Sequence, residues 1–229
     1  MHADVAADHV ADNVRLAASL RNARKLPSCP MFARVFGKNF FVMHTFGEGS
    51  CFFHAFAAAI CKGYDDIADV KARTEVGLTL RDSVQRYANE QLYHDAVTYV
   101  QRKYRQHREE NPNRAPPEPQ IPSYREFKQR LKDKAVWADL VMISFVAFTF
   151  GFNLLFFSNR DCQFYYGCDR LEIKNSSPTV FILWRDRTHF ELIVRVSKNG
   201  TVERQFHWPE HARLLERVQA AYMQGGADM

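Results

Sequence analysis

The sequence predicts an α+β protein, a small central β-sheet flanked by helices. Three observations lead there. Helical spacing of apolar residues dominates the first two thirds of the chain, strand-like runs gather in the last third, and one apolar helix–strand unit, Trp137 to Ser158, joins the two. With 229 residues and 46% hydrophobic composition, the chain can bury one full core and carry extensions. The expected organisation is an N-terminal helical extension over 1–30, a main domain over 31–205, and a C-terminal helix and tail over 206–229.

The elements follow in order. Val5, Val10, Val14, Leu16 and Leu20 recur at helical spacing within residues 3–24, which predicts an amphipathic helix. Lys25 to Pro30 reads as a linker. Phe40 to Met43 predicts a strand that feeds a turn at Gly47–Ser50, and Cys51 to Lys62 a core helix. Leu80, Val84, Tyr87, Leu92, Val97 and Val100 mark one or two helices over 78–101. Five prolines between 109 and 123 preclude a helix there and predict an exposed loop. Tyr124 to Lys134 reads as a charged helix and Trp137 to Phe150 as an apolar one that Gly151 ends. Buried strands follow at 153–158, 179–184 and 189–196. Asn199-Gly200 predicts a hairpin to Thr201-Val202. Pro209 opens a last amphipathic helix through Leu214, Leu215, Val218 and Tyr222.

Composition narrows the function. No apolar run is long enough to span a bilayer; the longest, Leu140 to Phe157, is broken by Ser144, Thr149, Gly151 and Asn153. The N-terminus lacks the pattern of a signal peptide. Five cysteines, an odd number at low density, argue for thiols rather than a disulfide scaffold, hence a reducing, cytoplasmic setting. The net charge of +5 is local: residues 101–134 hold ten basic and five acidic side chains. Without an aromatic–basic stacking motif, this segment reads as solvated helix faces, and nucleic acid is not the expected partner.

Chemistry concentrates in Gly47-Glu48-Gly49-Ser50-Cys51-Phe52-Phe53-His54-Ala55. A glycine turn places a cysteine at the start of an apolar helix, where the macrodipole and unpaired N–H groups favour a thiolate. A thiolate nucleophile needs a distant imidazole, and His189 supplies one at the head of a strand. Glu191, two residues on, shares its face and is placed to orient it, while Phe190 points into the core. The N–H groups of Cys51 and of the turn at Glu48 and Gly49 are candidate oxyanion donors. His54, Cys162 and Cys168 have poor zinc spacing, so no metal and no cofactor are expected.

These residues resemble the ovarian-tumour (OTU) family of cysteine deubiquitinases. The match runs in order through Glu48-Gly49-Ser50-Cys51-Phe52-Phe53-His54-Ala55, Leu80-Arg81 with Tyr87, Trp137-Ala138-Asp139-Leu140 continuing to Gly151-Phe152-Asn153, and His189-Phe190-Glu191. It spans roughly residues 40–196. The resemblance implies a papain-like fold for 31–205 and cleavage of the (iso)peptide bond after the C-terminal glycine of ubiquitin or a ubiquitin-like modifier. Cys51 and His189 would be the catalytic pair, with Glu191, Glu48 or Asp186 as the third member. Glu48 stands where the family has Asp, Ser50 where it has Asn, and Glu191 where it has Asn or Asp. Such divergence fits a viral or bacterial-effector member acting on a host. Ubiquitin's tail is basic, so Asp139 and Asp186, with Trp184 as a cleft wall, are candidate substrate-binding residues. Two further readings stay open: an OTU-like module that binds ubiquitin without cleaving it, and a nucleic-acid binder using the basic 101–134 segment.

Overall fold

The structure is a computed structural model that describes residues 23–45, 49–61, 63–64, 67–110, 118–168 and 177–225. Residues 1–22, which hold most of the predicted N-terminal helix, Gly47 and Glu48, the proline-rich stretch 111–117 and the tail 226–229 lie outside the described residues.

A mixed sheet divides the molecule. Its strands are β1 (Ala23–Lys25), β2 (Phe40–Met43), β3 (Asn153–Ser158), β4 (Gln163–Cys168), β5 (Thr179–Arg185), β6 (His189–Val196) and β7 (Val202–Glu203), in the order β1-β2-β6-β5-β3-β4 with β7 on β6. Only β3 and β5 run parallel; the other pairs are antiparallel. Side chains alternate between two cores, as the pleat requires. Leu154, Phe156, Val180, Ile182, Phe190, Leu192 and Val194 face one side. Leu155, Phe157, Phe181, Leu183 and Ile193 face the other.

The first core is covered by α2 (Cys51–Ile60), α3 (Val70–Arg86), α4 (Glu90–Glu110), α5 (Tyr124–Lys132) and α6 (Leu140–Phe150); α1 (Pro30–Val35) and α7 (Ala212–Gly225) cover the second. Local signals account for several boundaries. Asp69 and Asp139 cap α3 and α6 through Lys71 N and Met142 N, and Ser123 with Glu126 forms a capping box on α5. α2 is buried along nearly its whole length, with Phe52, Phe53 and Phe56 fully enclosed. That explains its continuous apolar composition in place of a stripe.

Four features depart from the expectations. Ala23–Lys25, at the end of the predicted first helix, extends instead as an edge strand on β2. Pro30–Val35, which begins at the end of the Lys25–Pro30 linker, is a short helix that the sequence reading did not assign. β4 has no counterpart in the reading; its Phe164 packs on Phe157 and Phe36, an aromatic cluster assembled from distant segments. Pro209 lies in a turn ahead of the last helix, which begins at Ala212. The expectation of free thiols also needs correction. Cys29, just before α1, is joined to Cys162 in the β3–β4 turn, their Cα atoms 6.0 Å apart. Their separation of 133 positions hid a meeting that the packing of α1 against β3 and β4 produces.

One close approach fixes how α2 and α3 dock. A Cβ on Gly77 would lie 2.1 Å from His54 Nδ1. The imidazole fills the place where any larger residue would put its side chain, and its burial lowers its pKa to about 4. We expect Gly77→Ala to destabilise the protein by about 1–3 kcal/mol despite alanine's better helix propensity. Denaturant unfolding monitored by circular dichroism checks this; unchanged stability would mean the helices separate freely at that contact.

Candidate active site

The site forms where the N-terminus of α2 meets the start of β6. Cys51 is the first residue of α2 and is 4% exposed. The backbone N–H groups of Phe190, Phe52 and Cys51 itself act on its thiol in the direction of thiolate. The Phe190 N–H belongs to the residue next to His189. Phe190 points into the first core, its ring 6.0 Å from that of Phe52, as the alternation along β6 predicts.

His189 is held from the segment that follows β2. Its Nε2–H donates to the Thr45 carbonyl at 3.1 Å, with Thr45 Oγ1 3.3 Å away. Thr45 Oγ1 in turn donates to the Phe190 carbonyl. With Nε2 carrying the proton, the lone pair of the neutral imidazole is on Nδ1. Among the described residues no hydrogen bond joins His189 to Cys51.

Glu191 is fully buried on the same strand. One carboxylate oxygen accepts from His44 Nδ1 at 2.9 Å and the other from Arg185 Nε at 2.5 Å. The register explains this arrangement. β5 and β6 pair Arg185 with His189, so Arg185, His189 and Glu191 share a face. β2 and β6 pair Met43 with Leu192, which carries His44 to Glu191. The carboxylate therefore acts on His189 by charge, with the direct hydrogen bond supplied by Thr45.

The charges settle into a neutral pair. Burial pushes the Cys51 thiol above its ordinary value; the three N–H groups and the positive charge of Arg81 pull it down without overcoming that. This corrects the expectation of a thiolate favoured by the helix terminus: desolvation of a sulfur enclosed on α2 outweighs the dipole. Burial also holds His189 below the usual histidine value; Glu191 and the Thr45 carbonyl oppose this, while His44 and Arg185 add to it.

The turn before Cys51 is clamped from behind. Gly49 has φ +76°, and a Cβ there would lie 2.5 Å from the Lys134 carbonyl oxygen, so only glycine fits. Arg81, fully buried on α3, donates from Nη1 to Gly49 O at 3.2 Å and Ser50 Oγ at 3.0 Å. Nε and Nη2 reach Leu131 O, Arg130 O, Asp133 O and Val136 O at 2.7–2.9 Å, and Nη1 also reaches Lys134 O at 3.4 Å.

The structure thus brings Cys51, His189 and Glu191 into one region with Gly49. Glu48 lies outside the described residues. Asp186 bonds Asn159, which donates to its Oδ1 at 2.9 Å, and makes no hydrogen bond to His189. Asp139 is engaged as the cap of α6 and in an ion pair with Arg130 at 2.7 Å. Trp184 stacks on Phe190 with ring centroids 6.2 Å apart, forming a wall one residue pair from His189. His44, Thr45 and Arg185 were missed from sequence. Arg185 was detectable in principle, because the short 186–188 turn before His189 forces it opposite. His44, His189 and Glu191 each offer a ligand atom within 4.8 Å of the others, a donor set suited to zinc. The guanidinium of Arg185 already neutralises that carboxylate.

No protein-family model matches the sequence, and no curated protein matches it. Solved structures do show similarity. An ovarian tumor (OTU) domain in complex with ubiquitin is 13% identical, with 82% of this chain and 85% of that chain covered at a TM-score of 0.43. The Hazara virus OTU bound to ubiquitin is 14% identical, covering 69% and 83% at a TM-score of 0.39. An OTU deubiquitinase from Wolbachia pipientis wMel is 16% identical, covering 72% and 92% at a TM-score of 0.40. The roles assigned to Cys51, His189 and Glu191 rest on the geometry of this chain.

A raised thiol pKa means little thiolate near neutral pH. Alkylation of Cys51 by iodoacetamide in the free protein should be slow at about pH 7 and climb with pH beyond the ordinary thiol range. Mass spectrometry of the Cys51 peptide reads this; a rate already at its plateau near neutral pH would indicate a preformed thiolate.

Proposed function

We propose that the chain is a cysteine hydrolase that cleaves the (iso)peptide bond after the C-terminal glycine of ubiquitin or a ubiquitin-like modifier. The observation that carries the hydrolase reading is the junction at Phe190. Its backbone N–H acts on the Cys51 thiol in the direction of thiolate, and its neighbour His189 is oriented with Nε2–H on Thr45. The ubiquitin assignment is supported by the ordered sequence resemblance between residues 40 and 196.

The chemistry starts from the neutral pair. As Cys51 Sγ attacks the glycine carbonyl carbon, its proton passes to Nδ1 of His189. The oxyanion is received by N–H groups at the start of α2. Collapse expels the amine, which takes the proton from His189, and leaves a thioester on Cys51. Water, deprotonated by His189, hydrolyses the thioester and frees the thiol. The buried charge of Glu191 stabilises the imidazolium that forms in each half. Arg185 and His44 hold that carboxylate in place. A tail of basic residues would meet the exposed edge near Asp186; Asp139, tied to Arg130, has less charge to offer. A host cytosol is the compartment this activity would serve.

The raised thiol pKa and the lack of a Cys51–His189 hydrogen bond favour one second reading, a module that binds ubiquitin without cleaving it. A ubiquitin carrying a C-terminal electrophile separates the two. The hydrolase reading expects a covalent adduct that is lost in Cys51→Ala; a folded wild type that binds ubiquitin and forms no adduct supports the binding module. His189→Ala should lower kcat/KM by at least about a hundredfold with the fold retained; near-normal hydrolysis would remove His189 from the mechanism.

The pH profile tests Glu191. The base must be neutral, and its pKa is lowered, so the acid limb of kcat/KM should lie below the ordinary histidine value. The charge of Glu191 raises the His189 pKa. Glu191→Gln should therefore move that limb to lower pH and reduce the plateau by about tenfold or more. A limb that stays put would mean Glu191 does not act on His189.

A further inference from the structure

We propose that Arg81 is the positioning residue of the catalytic turn: its guanidinium sets the orientation of the Gly49–Ser50 peptide and so aims the N–H donors in front of Cys51. The proposal rests on the reading of Cys51 as the nucleophile.

Arg81 is fully buried, yet none of its hydrogen bonds goes to a carboxylate. A charge in that position is tolerable only when its donors are all satisfied, and here backbone carbonyls satisfy them. On one side it takes the carbonyls of Arg130 and Leu131, at the C-terminus of α5, which the helix leaves unpaired. On the other side it takes Gly49 O and Ser50 Oγ. The fork of the guanidinium spans both; a lysine ammonium, a point donor, cannot.

Two consequences reach the chemistry. The peptide unit is planar and trans, so directing the Gly49 carbonyl at Arg81 turns the Ser50 N–H the opposite way. Ser50 occupies the N-cap of α2 but makes no side-chain cap bond, since its hydroxyl oxygen accepts from Arg81 instead. The first-turn N–H groups of α2 are therefore not consumed by the cap and are left to a sulfur or an oxyanion. The positive charge of Arg81 also acts on the Cys51 thiol in the direction that favours thiolate.

The test compares wild type, Arg81→Lys and Ser50→Ala by two readouts: steady-state hydrolysis of a ubiquitin C-terminal fluorophore, and the pH profile of Cys51 alkylation, which needs no substrate. Arg81→Lys should lower kcat by about tenfold or more with KM within about twofold, and shift the alkylation profile to higher pH. Ser50→Ala, which removes one acceptor and leaves the other Arg81 bonds, should move both readouts in the same sense by less. Circular dichroism confirms folding. A folded Arg81→Lys with wild-type kcat and a wild-type alkylation profile overturns the proposal. If that variant does not fold, Ser50→Ala decides, and wild-type values in both readouts overturn the proposal. If wild type does not hydrolyse the ubiquitin substrate, the ubiquitin reading fails, and the alkylation profiles still decide on Arg81.

Discussion

The buried guanidinium of Arg81 is the constraint around which the helical half of the molecule is arranged. It reaches from α3 to the end of α5, to the 133–136 segment and to the turn before Cys51. The 130–136 stretch and the turn before Cys51 are far apart in sequence, and neither could keep its carbonyls unpaired in an apolar interior. Their burial and the burial of the arginine therefore depend on one another. The close seat of Gly49 on the 134–135 backbone follows from the same junction: once the turn is drawn onto that segment, no side chain fits there. Arg81 also lies over the Phe53 ring, with the guanidinium carbon 5.1 Å from its centroid, so α2 is held to the same point.

The sheet supplies the other half of the site through register. His189 stands at the first position of β6, opposite Arg185 across a short turn, and Glu191 follows two residues later. Pairing with β2 then brings His44 and Thr45 alongside. Each of these contacts depends on strand alignment, and a shift by one residue would send His189 and Glu191 to the other face. The large aromatic contacts of Phe190 with Phe52, Phe156 and Trp184 resist such a shift.

Electrostatically the site is built for restraint. Burial disfavours both the thiolate and the imidazolium, so the resting pair is neutral. Glu191 is fully buried and bonded by Arg185 and His44, which holds its carboxylate close to His189 without a direct bond. The extra methylene of a glutamate, relative to aspartate, suits a carboxylate that must reach both of these partners.

By itself the sequence determined the parts of the fold that local rules govern. The glycine turn, the apolar run from Cys51, the strand at His189 and the helices over 124–132 and 140–150 are all legible, because spacing, capping residues and turn residues act over a few positions. It also placed Glu191 on the face of His189 by the two-residue period of a strand. What the tertiary structure decided is everything set by pairing and burial: that Thr45 holds His189, that Arg185 and His44 hold Glu191, that Cys29 meets Cys162, and that Arg81 clamps the turn before Cys51. The sign of the Cys51 shift belongs here as well. A helix terminus favours a thiolate wherever it occurs, but how far the sulfur is removed from water depends on which elements close over it, and no stretch of sequence states that.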